Sequence, residues 1–126
     1  MSPEVAQAIT KHHIWSPERL YKTKFEKSWR NYSGFIVPVV WGVHDHLNHT
    51  VPHPPKPSRD DMIGIRDYLE TIPEEAHGNP FWGAVGIIEY YQNIDTEQAH
   101  AIRQNIARQI GVLTMKLEDV PDRLAA

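Results

Sequence analysis

Four of the chain's eight histidines, His44, His46, His49 and His53, fall within ten residues, directly after the apolar run Val37-Pro-Val-Val-Trp41. Neutral imidazole is a ligand for borderline metals and titrates near neutral pH, so this segment is the first place to look for chemistry. Periodicity favours a helix from 36 to 49, with Ile36, Val40, Val43 and Leu47 as its packing face. At ~100° per residue, Asp45, His46 and His49 then share an arc of about 100° on the opposite side. His46 and His49 could reach one ion, Asp45 could ligate it or hold a tautomer, and His53 could fold back from beyond Pro52 as a fourth group. Such a nitrogen and oxygen set suits zinc, iron, nickel or manganese. The spacing is also common on solvated surfaces, and no glutamate lies between the histidines as in a His-Glu-x-x-His helix. A strand over 35–47 would instead place His44 and His46 on one face.

Other candidates stand alone. Glu89 is the only formally charged side chain between Pro80 and Ile94, and a carboxylate in apolar surroundings can act as a general acid or base. The pair His12-His13 and the single His100 have no companions at a telling spacing. No Gly-x-Ser-x-Gly elbow and no phosphate-binding glycine loop is present, which lowers acyl-enzyme and nucleotide chemistry. The absence of cysteine removes disulfides, thiolate catalysis and cysteine zinc sites.

The elements that must position these residues read as helices. Ser2-Pro3-Glu4 and Ser16-Pro17-Glu18 each offer a capping serine, a proline at the first helical position and an acid in the first turn, predicting helices near 3–13 and 17–32. In the second, Tyr21, Phe25, Trp29 and Tyr32 form an aromatic stripe. Four prolines between Val51 and Pro57 make a stiff connector. Ser58 starts a helix faced by Met62, Ile65, Leu69 and Ile72, residues 80–94 are apolar nearly all round, and Ala99, Ile102, Ile106, Ile110, Leu113 and Leu117 form the stripe of a long last helix. The expected fold is all-α: one domain over 1–126, a bundle of about five helices with the proline-rich connector at 51–57.

The charge is −3 over 126 residues and unevenly spread: residues 11–30 are basic, residues 60–75 acidic. Such surfaces steer docking, but no nucleic-acid-binding pattern accompanies the basic stretch, so nucleic acid is not an expected partner. No stretch approaches the ~20 apolar residues of a membrane span, and the expected location is cytoplasmic. Four tryptophans are many for one small helical core, and aromatic residues anchor interfaces. The leading expectation is therefore a non-catalytic interaction protein, either a homo-oligomer or an accessory subunit on a larger protein. Its contacts would be Trp29, Tyr32, Trp41, Trp82 and Tyr91, with no cofactor, and replacing Trp82 with alanine should disrupt assembly. The alternative is an enzyme or sensor holding a divalent metal at Asp45, His46, His49 and His53, with Glu89 as acid or base. A helical pocket for haem ranks third.

Overall fold

The computed structural model describes residues 2–121. Helix α1 (Pro3–Gln7) leads into strand β1 (Ile9–His13), and helix α2 (Lys24–Arg30) precedes strand β2 (Ile36–Val40), which runs without a loop into helix α3 (Trp41–Thr50). Helices α4 (Arg59–Glu70), α5 (Trp82–Tyr91) and α6 (Glu97–Leu113) complete the chain, with short 3₁₀ segments at Glu18–Leu20, Ser33–Phe35, Glu74–Gly78 and Leu117–Asp119. The described chain is mostly helical, but it is not all-α. β1 and β2 pair antiparallel, with Ile9 opposite Val40 and His12 opposite Val37.

Two of the three departures from the helical expectation share one cause, the pairing of β1 with β2. The cap at Ser2 does start a helix, its side chain accepting from the Val5 amide, but that helix ends after five residues. Its continuation was expected through His13. Instead, Ile9 to His13 pairs its backbone with Ile36 to Val40, two β-branched runs satisfying each other across 27 positions of chain. The proline at 38 sits on β2 in a two-stranded sheet, where a missing amide is tolerated on an outer edge. The expected helix at 36–49 is thus a strand to Val40 and a helix from Trp41. In the expected helix at 17–32, Pro17-Glu18 yields only a 3₁₀ turn, and the real start lies at Thr23. There, Thr23 and Glu26 form a reciprocal capping box.

Later elements follow the sequence closely. Ser58 accepts from the Asp61 amide at the head of α4, and Thr96 caps α6 by accepting from Ala99. Met62, Ile65 and Leu69 of α4, Ile87 of α5, and Ala99, Ile102 and Ile106 of α6 are all fully buried. Leu117 lies beyond α6, in a 3₁₀ turn. The α5 helix comes so close to the Ser33–Phe35 turn that a Cβ at Gly83 would collide with the Gly34 carbonyl. Among the described residues, no helix is long and apolar enough to cross a membrane.

The aromatic residues fill the chain's own core. Trp15, Tyr21, Trp29 and Phe35 pack with ring centroids 4.7 to 6.5 Å apart, and Trp29 donates its indole N–H to the Met62 carbonyl at 2.7 Å. Trp29 and Tyr91 were expected as contact residues. Each is 1% exposed within a single chain, so their burial is intramolecular. Tyr32, Trp41 and Trp82 are half-buried. The large apolar residues that do reach the surface, among them Val5, Ile9 and Phe25, are aliphatic or covered in part: Arg59 stacks over Phe25 at 4.4 Å.

Candidate metal centre

Pairing of β1 with β2 brings His12 to the foot of α3. Thr10 and His12, two apart on β1, share one face of the strand, and His44 stands in the first turns of α3, which packs on both strands. The result is two imidazoles, separated by 32 residues of chain, with Nδ1 of His12 and Nε2 of His44 3.4 Å apart. Their planes cross at 77° and their centroids lie 5.1 Å apart. His12 is 7% exposed, and His44 is half-buried with Trp41 against its edge.

The far nitrogen of each ring is already committed. Thr10 Oγ1 donates to the Val39 carbonyl at 2.8 Å, so its contact with His44 Nδ1 at 2.9 Å is one in which the imidazole N–H donates. Nε2 of His12 lies 2.7 Å from Oε1 of Gln109, an acceptor, so His12 donates there. With both outer nitrogens carrying the proton of a neutral ring, the inner nitrogens, His12 Nδ1 and His44 Nε2, present lone pairs to each other.

Burial disfavours a second proton on either ring. Burial pulls His12 down to about 4, helped by the neighbouring His44, His13 and His53 and opposed by the bond to Gln109. Burial also lowers His44, against the pull of Asp45. His13, next in β1, is lowered by burial and then by the Arg30 guanidinium, with Lys11 acting in the same direction and Glu18 against it. Beside His12 opens a cleft of about 300 Å³, lined also by Leu47, Asn48, Val51, Pro52, His53 and Gln109.

The residues first singled out behave differently. Asp45 and His49 pair with each other: His49 Nδ1 donates to the Asp45 carbonyl at 2.7 Å and lies 3.5 Å from its carboxylate. His49 is exposed, and His46 is half-buried with its Nδ1 out of water. His53 is exposed but lines the His12 cleft. Among the described residues no three histidine or acidic groups converge as a metal set, so Asp45, His46, His49 and His53 are not gathered in one place. Glu89 stands exposed on α5 and accepts a 2.5 Å bond from the Tyr68 hydroxyl, in a separate cleft lined also by Ile72, Pro73, Asn79, Trp82 and Val85. The cluster that forms was invisible locally because its members come from 10–12, 44 and 105–109. The His12-His13 doublet was its one local mark.

No protein-family model, curated protein or solved structure matches the chain.

Proposed function

We propose that this protein binds a divalent transition-metal ion between His12 Nδ1 and His44 Nε2, and that this centre is its functional site as a metal-dependent enzyme or sensor. The observation that carries the metal is the convergence of two imidazole lone pairs whose opposite nitrogens are both tied down. Two nitrogens each ~2.05 Å from a tetrahedral ion stand about 3.3 Å apart, close to the 3.4 Å between these atoms. A neutral hydrogen bond between the rings would need a proton on one inner nitrogen, at the cost of the Gln109 bond or of turning the Thr10 hydroxyl from the Val39 carbonyl to His44 Nδ1. Both rings also have the outer-shell acceptors that metal-bound histidines use to hold orientation. Nitrogen ligands without thiolate suit zinc, manganese, iron or nickel.

Lys11 and His13 project from the opposite face of β1 to Thr10 and His12, so neither stands beside an ion held by the pair. An ion there would supply Lewis acidity at the cleft beside His12. Arg30 and Lys11 instead surround His13 and, with burial, lower its affinity for a proton. Arg30 is fixed in place, donating to the Ser16 carbonyl at 2.7 Å and to Asn31 Oδ1 at 3.1 Å. Lys11 is exposed beside them.

Calorimetric titration of the chelator-treated protein with Zn²⁺ and Mn²⁺ tests the metal, with His12→Gln and His44→Gln as controls. One ion per chain, lost in both variants, supports the centre; unchanged binding in both would refute it. An interaction role draws on the half-buried Tyr32, Trp41 and Trp82, and native mass spectrometry of the wild type measures it directly.

A further inference from the structure

We infer that Gln109, held by Asn105, is a positioning residue that sets which nitrogen of His12 carries the ring proton, so that α6 and the proline connector determine whether the centre can take a metal. This rests on the metal reading above. Gln109 and Asn105 are one helical turn apart on the buried face of α6, only 4% and 8% exposed, among the isoleucines that make the core. Two carboxamides at core positions need their hydrogen bonds satisfied inside the protein, and these are.

Their orientations follow from their partners. Asn105 Nδ2 donates to the Pro52 carbonyl at 2.5 Å, which turns Oδ1 toward Gln109. Gln109 Nε2 donates to that Oδ1 at 2.7 Å and to the Ile14 carbonyl at 3.0 Å. Reversing Gln109 would set its oxygen against two acceptors, and reversing Asn105 would set oxygen against the Pro52 carbonyl. Oε1 of Gln109 is therefore the atom presented to His12 Nε2 at 2.7 Å. An acceptor there requires the ring proton on Nε2 and leaves the lone pair on Nδ1, toward His44. A donor in the same place would put the proton on Nδ1 and close the site. The tautomer of a strand residue near the N-terminus is thus decided by a residue 97 positions along the chain.

Long-range ¹⁵N–¹H correlation spectra of the metal-free wild type at pH 7.5 read the tautomer without any substitution. The expected result is a protonated Nε2 and unprotonated Nδ1 at His12. A protonated Nδ1 overturns the inference. Zn²⁺ affinity of Gln109→Leu and Gln109→Glu supplies the second arm. Leucine removes the acceptor and should weaken Zn²⁺ binding ~10- to 100-fold with a mixture of tautomers, whereas glutamate restores the acceptor and should recover most of the affinity. Equal Zn²⁺ affinity in wild type and Gln109→Leu overturns the inference, since loss of packing without loss of the tautomer would leave binding intact. The expected tautomer in a wild type that binds no Zn²⁺ would sink the metal reading while leaving the role of Gln109 in selecting the tautomer standing.

Discussion

Acid should unfold the metal-free protein earlier than its carboxylates would, and His12 sets the size of the effect. In the folded chain burial holds this imidazole at about 4, against 6.5 in the unfolded chain. Between those values the unfolded state carries a proton that the folded state rejects, so stability is fully present above about 6.5 and is lost as pH falls toward 4. At about 1.4 kcal/mol per pH unit for one proton, the whole interval is worth about 3 kcal/mol, a large part of the 5–15 kcal/mol typical of a domain. His44 and His13 are lowered too and steepen the same window. Glu26 acts separately. Its bond to the Lys56 ammonium, then the Lys22 amide, pulls it from 4.5 to about 2, so its contribution disappears only at lower pH. Urea denaturation in the presence of chelator at pH 7.5, 6.5, 5.5 and 4.5 measures the slope. His12→Gln, which keeps a polar side chain at the site and cannot titrate, should remove about one proton's worth of it. A wild-type stability flat to within about 0.5 kcal/mol from pH 7.5 to 4.5, or a variant with the wild-type slope, would refute the reasoning.

Four further outcomes are expected. Zn²⁺ at a hundred times its dissociation constant should raise the unfolding free energy by about 2.7 kcal/mol, and that increment should vanish in His44→Gln, read by thermal melts with and without the ion. Gly83→Ala should cost about 3 kcal/mol or more, because its methyl meets the Gly34 backbone rather than a side chain that can turn away; an unchanged denaturation midpoint would show that α5 does not sit on that turn. Trp82→Ala should cost about 2 kcal/mol through lost packing on Tyr32 and His77 while leaving the native mass unchanged; a wild-type oligomer that falls apart in the variant would instead support the interface role expected from sequence. Glu89→Gln should leave Zn²⁺ affinity within twofold of wild type by calorimetric titration, since the carboxylate lies in a different cleft from His12.

Local chemistry in the sequence was enough for the elements that local forces build. Ser58, Thr96 and the apolar spacing of 62–69 and 99–113 specify α4 and α6, because a cap and a buried stripe act within a few turns of helix. The proline connector was equally plain. The sheet was not, since Ile9–His13 satisfies its backbone only by meeting Ile36–Val40, and a serine cap at residue 2 says nothing about a partner 27 residues on. That pairing converts half of an expected helix into a strand, turns His12 toward His44 and leaves the denser cluster at 45–53 dispersed. The aromatic count likewise foretold large contact area but not its place, and Trp15 with Trp29 is absorbed by the chain's own core. Histidine content pointed to nitrogen-ligand chemistry; which two rings converge, and with which tautomers, depended on Thr10, Asn105 and Gln109, brought together only by folding because hydrogen bonds select partners by distance rather than by sequence.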